Sequence, residues 1–177
     1  MEILVTNKKD LVLRFFLENP TTEIHLRELS RQTQISFPWV RKIVIQLSKE
    51  GYVLKKEERG LVLVKANRDN QLFLALKKSA NIFSLSQIGL IGKLVELYER
   101  PQTIILFGSY SRGEDTEESD VDIAIITRRK CTISLSSFEK KLMRKIKILE
   151  LEPEKIEKEF MNTLANGIVL YGYLEIT

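Results

Sequence analysis

Apolar residues recur at three- and four-residue steps along the first fifty positions, which is the spacing of amphipathic helices. We expect a first helix over Lys9–Glu18, because Pro20 disfavours a helical conformation in the residue before it. A second helix is expected over His25–Thr33, and a third continues to about Glu50. Two short β-type runs follow around a glycine-containing connector, at residues 52–56 and 61–65. The first part of the chain therefore predicts three helices followed by a hairpin.

The rest of the chain mixes helical and strand patterns. Helical spacing predicts two helices over Asn70–Ala80 and Gln87–Arg100, and the continuous apolar run Thr103–Phe107 predicts a buried strand. Further elements are expected in the order strand Asp120–Thr127, helix Ser136–Lys145, strand Lys147–Leu151, helix Pro153–Asn166 and strand Ile168–Tyr173. This order predicts an α+β fold.

Composition narrows the class of protein. The chain has 177 residues, of which 44% are hydrophobic, and its net charge is only +4, so it can bury a core and disorder is not expected. It has no apolar run of about 18 residues that would cross a membrane, and no signal-peptide pattern. A single cysteine excludes a disulfide framework. We therefore expect a cytoplasmic protein with no membrane partner.

The positive charge is unevenly distributed along the chain. Residues 1–70 hold 13 basic and 9 acidic side chains, whereas residues 71–177 hold 15 of each. Such asymmetry is typical of a chain in which one half faces nucleic acid.

The N-terminal layout resembles the winged helix-turn-helix domains that bind DNA, through residues 26–31, the turn at 35–36 and the ending at 49–52. A helix fits the major groove of B-DNA, so side chains off the apolar face of the third helix can reach bases or phosphates. The candidate DNA contacts are Phe37, Trp39, Arg41, Lys42, Gln46, Lys55, Lys56 and Arg59. Winged helices also serve as protein-interaction or dimerisation modules, in which Phe37 and Trp39 pack against other helices. A homodimer would match palindromic half-sites.

A second motif lies between the strands predicted at 103–107 and 120–127. It reads Gly108-Ser109, then ten residues, then Asp120-x-Asp122. Alternate strand residues share a face, so the two carboxylates point the same way and can hold Mg²⁺ together with substrate phosphates. Gly108 lets the backbone approach a phosphate closely, and the N–H groups of the turn at Ser109 favour an anion. The other acidic residues of this loop are expected to be solvated charges: Glu114, Asp115, Glu117 and Glu118.

This motif resembles that of the minimal nucleotidyltransferases, within the superfamily that shares the DNA polymerase β catalytic fold. The resemblance implies a small mixed sheet in this part of the chain. The resemblance covers about residues 87–173 and implies Mg²⁺-dependent transfer of a nucleoside monophosphate to a hydroxyl, with AMP from ATP as the favoured reaction. It implies that Gly108 and Ser109 grip the triphosphate, and that Arg112 steadies the loop or meets a phosphate. It also implies a third carboxylate on a later strand, where Glu150 would ligate metal and activate the acceptor. Glu152 competes for that role because it lies two residues along the same strand.

The two resemblances together predict a winged helix-turn-helix domain over residues 1–68, a helical connector over 69–86 and a nucleotidyltransferase domain over 87–177. Nucleotidyltransferases this small resemble antitoxins that adenylylate a HEPN-domain toxin, which makes a HEPN-type protein the expected partner. The alternative is a DNA-binding transcriptional regulator whose nucleotidyltransferase domain is degenerate and only binds nucleotide or mediates assembly.

Overall fold

The computed structural model describes residues 7–58 and 60–175. The chain divides into two compact units, Met1–Lys77 and Lys78–Thr177. The division falls within the region expected to be a connector, residues 69–86. In the described ranges, every helix is too short or too polar to cross a lipid bilayer.

The first unit begins with three helices: α1 (Lys8–Glu18), α2 (Leu26–Thr33) and α3 (Phe37–Lys49). These confirm the three predicted helices to within about two residues at each end. A capping box starts α1, because the Asn7 side chain accepts from the Asp10 N–H and the Asp10 side chain accepts from the Asn7 N–H. The helices bury the apolar positions that recur at helical spacing, among them Val12, Phe16, Leu29, Val40, Val44 and Leu47.

A small antiparallel sheet completes the first unit. The predicted hairpin is confirmed as β2 (Val53–Glu58) and β3 (Leu61–Ala66), and β1 (Ile24–His25) pairs with the other side of β3. Strand β1 is not predicted from the sequence, because two residues are too few to show an alternating pattern. The unit therefore contains helices and a three-stranded sheet, and its identification as a winged helix-turn-helix stays a prediction.

Two helices follow, and their bounds differ from the predicted ones. Helix α4 spans Gln71–Gln87 and α5 spans Leu90–Leu97, so α4 is longer and α5 shorter than the apolar spacing suggested. Gly89 separates them with a φ of 77°, in the left-handed region that ends a helix.

The second unit contains a four-stranded mixed sheet in the order β6-β5-β4-β7. Strand β5 pairs antiparallel with β4 and parallel with β6, and β4 pairs antiparallel with β7. The elements are β4 (Thr103–Phe107), α6 (Gly108–Arg112), β5 (Val121–Ile126), α7 (Ser136–Leu142), β6 (Ile146–Leu151), α8 (Lys158–Ala165) and β7 (Ile168–Gly172). These confirm the mixed sheet and its four predicted strands.

The two faces of this sheet pack on different helices. On one face Ile123 and Ile125 pack in a core with Leu90 and Leu94 of α5. On the other face the alternate residues of β5 pack in a smaller cluster with Leu164 of α8. The first face is more extensively covered, and the beginning of β5 on the second face carries the polar residues considered below.

The predicted helix over Pro153–Asn166 is two separate elements. Pro153–Lys155 forms a short 3-10 turn, and α8 begins only at Lys158. Ile156 and Glu157 have extended backbone angles between them, so the apolar spacing alone overestimated the helix.

Candidate active site

Asp120 and Asp122 lie where β5 begins. Asp120 immediately precedes the strand, and Asp122 is the cross-strand neighbour of Phe107, the last residue of β4. Both carboxylates are half-buried. Because β5 turns alternate side chains to opposite faces, Asp122 shares its face with Ala124, away from the α5 core. Asp122 therefore lies on the face of the sheet away from α5, and the joint role of the two carboxylates stays a prediction.

Gly108 packs directly against Asp122. Its φ is 72°, and a Cβ added at this position would lie 2.7 Å from Asp122 Oδ2, closer than a carbon and an oxygen tolerate. The positive φ favours glycine here, and an added Cβ would have to displace the Asp122 carboxylate. The turn is also closed by Ser111, whose hydroxyl donates to the Gly108 carbonyl at 2.8 Å. The first half of the motif thus contacts the second half through its glycine.

Ser109 and Arg112 occupy the short helix α6 that follows Gly108. Ser109 is half-buried in the first turn of this helix. Arg112 is exposed at its end, where its Nε donates to Glu114 Oε2 at 2.6 Å. The structure therefore places Ser109 directly beside Gly108, and it gives the Arg112 guanidinium an acidic neighbour within the same loop.

Asp115 anchors the loop between α6 and β5. We expected a solvated charge, but this carboxylate is fully buried. Asn81 donates to Asp115 Oδ1 at 2.8 Å and to the Tyr110 carbonyl at 2.9 Å, and the Arg144 guanidinium lies 3.5 Å from Asp115 Oδ2. A buried carboxylate needs such partners, because burying an unpaired charge is costly. No local pattern in the sequence distinguishes Asp115 from its exposed acidic neighbours.

Glu150 does not join the two aspartates, so its proposed role as third carboxylate is wrong. In the parallel pairing of β5 with β6, Glu150 lies beside Ile125, about 10 Å along the strand from Asp122. Its side chain is on the α5 face, where Glu150 Oε1 accepts from Tyr98 Oη at 2.7 Å and from the Cys131 N–H at 2.9 Å.

The environment of Glu150 is that of a structural carboxylate. Burial raises the pKa of Glu150, but the hydrogen bonds from Cys131 and Tyr98 and the Lys130 ammonium outweigh burial and hold this pKa below its usual value. The competing candidate, Glu152, follows β6 and pairs with Lys155 at 2.7 Å. Neither glutamate is brought to Asp120 and Asp122.

Lys147 takes the position on β6 next to the aspartates. It is the parallel-strand neighbour of Asp122, and its Nζ lies 2.6 Å from Asp120 Oδ2. The role of Lys147 is not predicted from the sequence. Lys147 begins the predicted strand Lys147–Leu151, but this position does not show which strand or which register will pair with it.

Burial and charge act in opposite directions on Asp122. Burial raises the pKa of this carboxyl, the Lys147 ammonium lowers it and the Asp120 carboxylate raises it, and the resulting pKa is above the usual value. Within the described ranges no group of three acidic, histidine or cysteine side chains converges as a metal site would require. The donor set of two carboxylates fits a single hard divalent cation such as Mg²⁺, which takes oxygen ligands and completes its shell with water and phosphate.

The residues predicted to contact DNA are exposed in the first unit. This holds for Phe37, Trp39, Arg41, Lys42 and Gln46 on α3 and for Lys55 and Lys56 on β2, whereas Arg59 lies outside the described residues. Trp39 has the ammonium groups of Lys8 and Lys42 over its ring, at 4.9 and 5.4 Å from the centroid. Gln46 donates to Glu50 and Lys56 to Glu58. Phe37 and Trp39 are thus exposed on the surface of their unit.

Comparisons with known proteins show the family of this part of the chain. The family model described as "Polymerase beta, Nucleotidyltransferase" matches residues 90–175. Two similar proteins come from Methanocaldococcus jannaschii. The one named "Putative protein adenylyltransferase MJ0604" is 40% identical over 80 residues, which are 41% of this chain and 80% of that protein. The one named "Putative protein adenylyltransferase MJ1379" is 37% identical over 67 residues, which are 38% of this chain and 67% of that protein.

The matched residues include Gly108, Ser109, Asp120 and Asp122 and the whole mixed sheet that carries them. With this similarity and the contact between Gly108 and Asp122, the chain belongs to the polymerase beta nucleotidyltransferase family.

Proposed function

We propose that this protein transfers AMP from ATP to a hydroxyl group of a protein acceptor. The observation that carries the proposal is the carboxylate of Asp122 against the glycine turn that follows β4, with Asp120 immediately before β5. Members of the family typically use a nucleoside triphosphate and Mg²⁺. Both relatives from Methanocaldococcus jannaschii carry the name "Putative protein adenylyltransferase", which supports a protein acceptor.

The proposed reaction balances as a simple displacement. The acceptor oxygen forms a bond to the α-phosphorus of ATP, the bond from this phosphorus to the bridging oxygen breaks, pyrophosphate leaves and the hydroxyl proton goes to water. Asp120 and Asp122 would hold Mg²⁺, which when bound neutralises phosphate charge and orients the triphosphate. Gly108 allows close approach of the backbone to the phosphates, and Ser109 would donate to them. Arg112 is close enough in sequence to this turn to meet the outer phosphates when it leaves Glu114.

The acceptor we propose is a HEPN-type partner protein. The test is incubation of the purified chain with that partner, Mg²⁺ and ATP labelled at the α-phosphate, followed by electrophoresis and autoradiography. Label should move to the partner and should be absent with the Asp120→Ala/Asp122→Ala double variant. Persistence of the label in that variant would show that the site is wrongly assigned.

Nucleotide binding without transfer would favour the alternative function, a regulator whose nucleotidyltransferase domain does not turn over. The close pairing of Lys147 with Asp120 is the observation that favours this alternative. Equilibrium binding of ATP to the same protein, measured without acceptor, separates the two outcomes. Binding with no label transfer to any tested partner supports the alternative, and transfer contradicts it.

We also propose that the first unit binds DNA through the exposed face of α3. Supporting this are Arg41 and Lys42, which are exposed on that helix beside Trp39 and can contact phosphates. A gel-shift titration with DNA from the promoter of the protein's own gene tests the proposal. Binding should weaken as salt rises and in the Arg41→Ala/Lys42→Ala variant, because phosphate contacts release counterions. Binding that is insensitive to both would count against a DNA role.

A further inference from the structure

Lys147 is a cation beside the two aspartates that the sequence motif does not include. It lies beside Asp122 across the parallel strand pair, and its Nζ is 2.6 Å from Asp120 Oδ2. Its side chain is 68% exposed, whereas that of Asp120 is 29% exposed. The ammonium is therefore held at the carboxylates yet stays accessible to a ligand from solvent.

We propose that Lys147 takes the place of a second divalent cation, so that this site binds a nucleoside triphosphate with one divalent ion and the lysine ammonium. This inference rests on the proposed function, since it concerns the same nucleotide site. Lys147 is here a residue that contacts substrate phosphate and sets the number of metal ions that the site accepts.

Charge balance supports the substitution. Nucleotidyl transfer needs the charge of the triphosphate to be neutralised, and two divalent ions between carboxylates are one way to do so. A site with three carboxylates and two divalent ions carries one net positive charge. Two carboxylates, one ammonium and one divalent ion carry the same net charge. Replacing a carboxylate by Lys147 thus removes the need for one metal ion without changing the total charge offered to the triphosphate.

The position of Lys147 also disfavours a second ion. The ammonium already pairs with Asp120 Oδ2, and a second cation beside it would be repelled by its charge. The candidate third carboxylate, Glu150, is on the other face of the sheet. In the part of the chain that the structure describes, no third acidic, histidine or cysteine ligand completes such a site. One divalent ion is what the remaining donors can hold.

The experiment counts Mn²⁺ ions by electron paramagnetic resonance. The full chain is titrated with Mn²⁺ in the presence of α,β-methylene ATP, whose α–β bridge resists transfer. The wild type should bind one ion per chain, and the Lys147→Asp variant, which restores a third carboxylate, should bind two. The Lys147→Met variant should bind one ion and lose about tenfold in affinity for the analogue, because a charged contact to phosphate is absent.

The matched control is Lys93→Asp, the same charge change on an exposed residue of α5. It should bind one ion with wild-type affinity, because α5 packs on the face of the sheet opposite Asp122. Two ions in the wild type, one ion in Lys147→Asp with a native circular dichroism spectrum, or unchanged affinity in Lys147→Met would each overturn the inference. If the wild type binds neither analogue nor ion, the proposed transfer function fails as well. Two ions in an active wild type would refute only the role of Lys147.

Discussion

Substituting Gly108 by alanine tests whether the turn after β4 positions the Asp122 carboxylate. Gly108 has a φ of 72°, and an added Cβ would lie 2.7 Å from Asp122 Oδ2, where ordinary contact begins at 3.4 Å. The carboxylate must therefore move by about 0.7 Å, the difference between these distances. A misplacement of about 1 Å at a reacting centre can cost about 10²-fold. We expect Gly108→Ala to weaken transfer, and Mg²⁺-dependent nucleotide binding, by roughly ten- to a hundredfold.

The substitution also carries a backbone cost that must be separated from the effect on the carboxylate. An L-residue in the left-handed region costs about 1–2 kcal/mol of the free energy of unfolding. Gly89 supplies the control, because its φ is 77° and an added Cβ would meet nothing within 4 Å. Gly89→Ala should therefore lose similar stability but retain nucleotide binding.

Urea denaturation followed by circular dichroism gives the stability of each variant, and isothermal titration with Mg²⁺ and α,β-methylene ATP gives its affinity. The Gly108→Ala and Gly89→Ala variants should have similar stability but very different affinity for the nucleotide analogue. Equal affinities in the two alanine variants would show that the contact between Gly108 and Asp122 does not position the carboxylate.

Three further predictions follow from the contacts described above. Asp115→Ala should lower the free energy of unfolding by about 3–5 kcal/mol, because it leaves the buried Arg144 without its carboxylate partner; a loss under about 1 kcal/mol in urea denaturation would contradict this. The folded state lowers the pKa of Glu150, so its contribution to stability is complete above the unfolded pKa of about 4.3 and is lost as pH falls through the lower folded value. Glu150→Gln should therefore show a weaker loss of stability between about pH 5 and pH 3 than the wild type, with nucleotide affinity unchanged at neutral pH. Asn7→Ala should cost about 1 kcal/mol of unfolding free energy, measured by thermal denaturation, because it removes the cap of α1, and a shift no larger than the error would refute the cap.

Local signals predicted the parts of the site that lie close in sequence. The strand alternation at Asp120 and Asp122 and the glycine at position 108 are readable because one strand and one turn determine them. The role assigned to Glu150 was wrong for the opposite reason. The pairing of β6 with β5 is parallel and depends on the long connection through α7, which leaves no register signal in the sequence.

Two other differences between prediction and structure also arise from features that local sequence patterns do not show. Asp115 was expected to be solvated because its burial depends on Asn81 and Arg144, which are distant in sequence and give no local pattern. The break predicted over residues 81–86 is absent because Ile82, Phe83 and Leu85 continue α4, which ends only at the left-handed Gly89. Apolar periodicity thus identifies the segments that pack in the core, but it does not show where polar contacts form between distant segments.

The order in which the chain is synthesised decides when the ion pairs of Asp115 and Asp120 can form. The loop and both aspartates leave the ribosome before Arg144 and Lys147 have been synthesised, since these residues come later in the chain. Until then Asp115 cannot pair with Arg144, and Asp120 cannot pair with Lys147. Contacts between residues far apart in sequence are slow to form. A nascent chain that ends before Arg144 therefore carries the motif from Gly108 to Asp122 without Arg144 and Lys147, the cations that pair with Asp115 and Asp120.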